Sequence, residues 1–172
     1  MAQNLEARVK ELEAKVQELN DREAIRDLRY RYHECINEGK FAEIASLFTA
    51  NAELDFAHMG KATGREKIAE FFAGLSRSSE TAGDPHRPGI SFVKQFIHNH
   101  VINLHGDHGH GFSYLEAKPI YNGEAFLVAA RYDDDYAKED GAWKFSKMTL
   151  IPYFMVPLRE GWAQKDRIKM GR

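Results

Sequence analysis

The second half of the chain constrains the fold most. From Ile90 onward, runs of strand-forming residues alternate with short turn signals. Ser91–Leu104 is one long run, closed by His105-Gly106-Asp107. Phe112–Tyr121 follows and ends on Asn122-Gly123, a pair that accepts the positive φ angles of a tight hairpin. Glu124–Tyr136 leads to Glu139-Asp140-Gly141, and Trp143–Pro152 completes a meander. Strands joined by turns this short pair antiparallel, not through βαβ crossovers. Helices placed ahead of such a meander must cover one face of one sheet, which is an α+β arrangement.

Those helices are legible from their apolar spacing. Ile25, Leu28, Tyr32, Cys35 and Ile36 form one stripe that ends near Asn37. Gly39 offers a left-handed stop, and Phe41, Ile44, Leu47 and Phe48 mark a short second helix. Asn51–His58 alternates as a strand should. Thr63-Gly64-Arg65-Glu66 has the form of a capping box, opening a helix that turns Ile68, Phe71, Phe72 and Leu75 inward. Ser76–Gly89 is rich in Ser, Gly and Pro and is expected to be a loop.

Before this body, Leu5, Val9, Leu12, Val16 and Leu19 are spaced 4, 3, 4 and 3, a heptad seam flanked by Glu and Lys. The seam spans little more than two heptads. The expectation is therefore an arm packed on its own domain or on a neighbouring subunit, ahead of a free coiled coil. Asn20 and Glu23 look like a second capping box, restarting the helix after a kink. The chain divides into an arm at 1–19, a domain at 20–156 and a tail at 157–172. The tail carries Trp162 and Met170 and reads as a lid, a partner contact or disorder.

A net charge of −2 gives no electrostatic case for nucleic acid or an anionic membrane. The single cysteine, Cys35, excludes an internal disulfide and fits a reducing compartment. No long apolar run suggests a signal peptide or a membrane span, so a cytoplasmic protein is expected.

Three stretches carry a family resemblance: YRYHECINEGKFAEIASLF followed by NAELDF, then FIHNHVINLHGD, then AARYDDDYAKEDGAWKF. In this order, across roughly Leu19 to Pro152, they resemble the SnoaL-like branch of the nuclear-transport-factor-2-like superfamily. The resemblance implies a cone-shaped half-barrel, a curved and mostly antiparallel sheet capped by N-terminal helices around an apolar pocket. Members of that family include scytalone dehydratase, bile acid 7α-dehydratase, a hexachlorocyclohexane dehydrochlorinase, polyketide cyclases and lyases releasing formaldehyde from lignin-derived diarylpropanes. They are commonly dimers or trimers, so the resemblance also implies a homo-oligomer. In the lyases, an Asp near the end of the first helix orients a His on the long strand, which takes a proton. A Tyr or Lys one turn before the Asp assists. By position Tyr32 matches that Tyr, while Asn37 stands at the Asp and Gln95 at the His. An amide donates and accepts hydrogen bonds but takes no proton near neutral pH. The family's usual acid–base couple is therefore replaced.

Substitutes come from the neighbouring residues. Strict alternation puts Gln95 on the strand face opposite Lys94, His98 and His100. The resemblance needs both Gln95 and Ile102 inward, an odd spacing that a β-bulge between them resolves. With a bulge, His98 or His100 faces the pocket. His98 is the preferred acid/base, because imidazole titrates near neutrality. His58 is second, and Tyr32 is the assisting phenol. Asn37, Gln95, Lys94, Tyr114 and Phe56 are expected to bind substrate. Each also has a structural reading: outward histidines, a core tyrosine, a solvated lysine. Asp133, Asp134 and Asp135 read as hairpin-end acids. His105, Asp107, His108 and His110 lie among glycines that read as a turn, so neither metal nor cofactor is expected. The resulting reading is a cofactor-independent lyase on a bulky aromatic alcohol, eliminating water or formaldehyde, with a lignin-derived phenolic dimer as one such substrate. A para-hydroxyphenyl ring serves as its own electron sink by forming a quinone methide. The alternatives are a non-catalytic binder of a small aromatic ligand with the same pocket, and an assembly role through the arm and the outer sheet face.

Overall fold

The structure is a computed structural model that describes residues 2–80 and 90–163. Helix α1 runs unbroken from Ala2 to Asn37. The expected kink at Asn20 is absent. No Pro or Gly interrupts the segment. The side chain of Asp21 points at the sheet instead, accepting from Trp143 Nε1 at 2.7 Å and pairing with Lys138 at 2.9 Å. The helix stops where the sequence predicts. Gly39 takes φ 69°, and the Lys40 N–H reaches back to the Cys35 carbonyl at 2.8 Å, a Schellman closure that only a left-handed residue permits cheaply.

Helix α2 (Phe41–Ile44) passes through a 3₁₀ turn (Ala45–Leu47) into β1 (Phe48–Asp55). A second 3₁₀ turn (Ala57–Met59) and the short β2 (Lys61–Thr63) lead to α3 (Arg65–Glu80). β2 is three residues long, too short to leave a period in the sequence. α3 extends beyond Ser76, so part of the expected loop is helix. Residues 81–89 and the tail from 164, with Met170, lie outside the described residues.

The meander follows as β3 (Ile90–His105), β4 (His108–Tyr121), β5 (Glu124–Glu139) and β6 (Ala142–Pro157). The strands form one curved, unclosed sheet in the order β2-β1-β6-β5-β4-β3. Every neighbour is antiparallel except β1 with β6. β4 begins at His108, not at Phe112. Its glycines serve close approach as well as turning, since a Cβ on Gly111 would collide with the Val101 carbonyl oxygen of β3. That crowding accompanies a β-bulge. The β3–β4 register shifts between His98 and Val101, and Asn99 sits at φ 47°. The bulge inferred from the odd spacing of Gln95 and Ile102 is therefore present.

α1 and α3 lie against the sheet. Between them sits an aromatic core in which Tyr32 meets Phe72, Tyr132 and Phe145 edge-on at 6.0–6.1 Å, the geometry that opposed ring quadrupoles favour. Burying each such ring contributes about 1.5–3 kcal/mol. The opposite face keeps Phe96, Val101, Tyr114, Ile151 and Tyr153 exposed.

Candidate active site

A cavity of about 320 Å³ opens between the end of α1, α2, α3 and the sheet. Its walls are Ile36, Phe41, Phe56, Met59, Phe72, Val93 and Leu150. Among the described residues that line it, the titratable ones are Tyr32, Glu38, Lys94 and Tyr132. An apolar hollow with a few convergent polar groups is the usual form of a small-molecule site.

The Tyr32 side chain is fully buried, and its hydroxyl faces the Tyr132 hydroxyl without a well-formed hydrogen bond. Burial, then the neighbouring Tyr132 hydroxyl, push its pKa well above the usual phenol value. Tyr132 is raised as well, chiefly by burial. Both stay protonated at neutral pH and can act there as proton donors.

Asn37 and Gln95 are both at the cavity, and their geometry explains the amides. β3 is an edge strand. The Asn37 side chain accepts from the Gln95 backbone N–H at 2.7 Å and donates to the Gln95 carbonyl at 2.9 Å. The carboxamide thus completes the strand edge as a neighbouring peptide would. A carboxylate could only accept, and would face the Gln95 carbonyl with like charge. The Gln95 side chain in turn holds His33, with Oε1 3.0 Å from Nδ1. Burial, then Arg29, lower the His33 pKa to about 3, so the ring is neutral. Donation from Nδ1 leaves Nε2 as an acceptor, and that atom is buried without a partner. Lys94 stands at the rim, donating to the Asn37 carbonyl and lying 3.4 Å from Glu38 Oε1.

Behind this site lies a buried ionic network. Arg29 pairs with Asp134, and both are buried. The Arg29 guanidinium sits 4.6 Å from the Tyr132 ring and 4.7 Å from Phe145, so ring faces replace part of its lost hydration. Burial raises the Asp134 carboxyl above its ordinary range, with Arg29 working against that. Tyr136 donates to Asp134 at 3.0 Å, and His100 Nε2 lies 2.9 Å from the Tyr136 hydroxyl. Burial, then Arg29, lower the His100 pKa to about 4.

Of the residues the sequence put forward, Tyr32, Asn37, Gln95, Lys94 and Phe56 meet at the cavity. His98, His58 and Tyr114 do not. The bulge falls at Asn99, after His98. The face exchange therefore turns His100 inward and leaves His98 beside Phe96 on the outer face, 54% exposed and 3.9 Å from Glu116. Tyr114 faces the same outer side, edge-on to Phe112 and near Tyr153. His58 is exposed in the 3₁₀ turn after β1. Of the three acids, Asp134 is the buried one, while Asp133 pairs with Arg131. Sequence reasoning missed His33 and the pairing of Arg29 with Asp134. One signal for the last pair was available. Arg29 lies four residues after Ile25 and three before Tyr32, so a cation stands on the apolar stripe and requires a buried partner.

A helix-roofed, unclosed sheet around an apolar hollow is the nuclear-transport-factor-2-like architecture. Residues 17–149 match the SnoaL-like domain model, and the chain belongs to that family. No curated protein matches the sequence significantly. Solved structures share the fold at low identity. A hexachlorocyclohexane dehydrochlorinase (LinA) type 2 is 20% identical with a TM-score of 0.73, covering 84% of this chain and 93% of its own. A scytalone dehydratase-like protein from Novosphingobium aromaticivorans is 20% identical with a TM-score of 0.71, covering 92% and 98%. A type 3 LinA from Novosphingobium barchaimii is 19% identical with a TM-score of 0.72, covering 91% and 99%. Among the described residues, no helix is long and apolar enough to cross a membrane.

Proposed function

We propose that this chain is a cofactor-independent lyase that removes water, or water and formaldehyde, from a bulky aromatic alcohol held in the cavity. The observation that carries the reading is the Tyr32 phenol, buried at the wall of an apolar hollow and without a well-formed hydrogen bond. A neutral phenol in such a place can protonate a departing hydroxyl. Among the described residues the cavity offers no carboxylate–imidazole couple to make a carbanion, so in this scheme the substrate pushes its own electrons. A para-hydroxyphenyl ring does this once ionised, with the Lys94 ammonium at the rim as the counter-charge. The ring expels the benzylic hydroxyl as water with the Tyr32 proton, leaving a quinone methide and a tyrosinate. The tyrosinate then takes the proton of a side-chain CH₂OH. The C–C bond breaks, formaldehyde leaves, and its electron pair restores the aromatic phenolate with a new C=C bond. Tyr32 ends as it began. Tyr132 lies beside it as the second donor, and Asn37 fixes β3 against α1. His98, exposed on the other side of the sheet, has no part in this scheme.

The experiment is to incubate the purified protein with phenolic 1,3-diols and their para-methyl ethers, following formaldehyde and stilbene. Product from the free phenols alone supports the scheme. Equal turnover of the ethers removes the electron-push step. Binding without product favours a second reading, a ligand-binding module, for which the observation is the same missing couple.

A further inference from the structure

We infer that residues 5–19 of α1 form a parallel two-stranded coiled coil with the same segment of a second copy of this chain. Leu5, Val9, Leu12, Val16 and Leu19 are between 45% and 66% exposed, and residues 4–20 are all exposed. The arm is therefore not packed on its own domain. It could not be. At about 100° per residue, the seam and the buried stripe of Ile25, Leu28, Tyr32 and Ile36 lie on roughly opposite sides of the helix. The sheet serves one side, and the seam faces away from it.

The residue types choose the partner. The seam has Val at both of its a positions and Leu at its d positions, the pattern that favours two parallel strands. Arg8 and Lys15 occupy g, and Glu6 and Glu13 occupy e. Parallel pairing sets each g residue against the next e residue of the other copy, which places Arg8 opposite Glu13. Antiparallel pairing instead sets g against g and e against e, bringing like charges together. The flanking charges thus accept a parallel copy and reject an antiparallel one. The shortness of the seam is offset by its anchor. A free helix of this length is marginal because nucleation is costly, but here the helix is already nucleated by its buried half. The match to the family domain begins at residue 17, so most of the seam precedes the part of the chain that the family shares.

Sedimentation of the full chain tests this, with thermal melting as the control for folding. L12E/V16E is expected to halve the mass at concentrations where the unaltered chain is assembled, with the melting of the domain unchanged. R8E is expected to raise the dissociation constant several-fold at low salt, and R8E/E13R to restore it. L12C is expected to give a covalent dimer under mild oxidation. A mass unchanged by L12E/V16E overturns the inference. So does a fall to one third, which marks a trimer, and so does R8E/E13R remaining as weak as R8E. L12C staying monomeric while the chain is associated excludes the parallel register and overturns it too.

Discussion

The two halves of α1 treat side chains in opposite ways. The first half holds five aliphatic residues in water. The second half buries an arginine and a histidine, Arg29 and His33, among aromatic rings. The exposed leucines and valines cost little as long as a partner can cover them. The buried arginine is tolerable only because Asp134 and the ring faces meet it. One continuous helix can therefore carry two unrelated surfaces, set by angle around its axis and by position along it.

The largest expected effect is on the buried side. Arg29→Met leaves the Asp134 carboxyl without its counter-ion, and should cost about 3–5 kcal/mol in denaturant unfolding. Arg29→Met with Asp134→Leu should recover much of that loss, since a packed apolar pair avoids the desolvation. A double variant no more stable than the single one would show that the network does more than neutralise Asp134. Next comes pH. His33 is held neutral to about pH 3 in the fold, while in the unfolded chain it protonates near its ordinary value of 6.5. A depressed histidine stabilises the fold fully above the ordinary value. That contribution declines as pH falls through the window from about 6.5 to about 3, because the unfolded state binds the proton. His100, lowered to about 4, adds in the same direction over a narrower window. Unfolding free energy measured across this range should fall with acid, and His33→Gln should flatten the slope.

A smaller effect is expected at the strand edge. Asn37→Asp keeps the acceptor for the Gln95 N–H but loses the donor to the Gln95 carbonyl, and should cost about 1–3 kcal/mol. If Asn37→Asp is instead neutral, the amide does not hold β3. The smallest effect is on the exposed seam. L12E/V16E should leave the unfolding free energy of a monomer within about 0.5 kcal/mol, as for surface changes generally.

Much of this architecture is legible from periods and turns. The stop at Gly39, the hairpin at Asn122-Gly123 and the bulge between Gln95 and Ile102 follow from local chemistry. The bulge position does not. Placing it before or after His98 decides which histidine faces inward, and only the register step from His98 opposite Tyr114 to Val101 opposite Phe112 fixes it at Asn99. In the sequence, the amides at 37 and 95 look like a lost couple. Their use was hidden, because a side chain that mimics a strand edge leaves no periodic trace. His33 was overlooked because a histidine next to Tyr32 on a helix looks like any boundary residue. Its partner lies 62 residues away. The heptad and the core stripe were both visible, but their opposite facing emerges only when the two are placed on one unkinked helix.

In the proposed reaction everything turns on Tyr32, which supplies and recovers the proton in the cavity. The direct measurement is steady-state turnover of a phenolic diol by the unaltered protein and by Tyr32→Phe, which removes one oxygen and keeps the buried ring. For Tyr32→Phe, kcat should fall by about 10²–10⁴-fold while KM moves little and thermal stability holds. A Tyr32→Phe protein that turns over at the original rate contradicts that role.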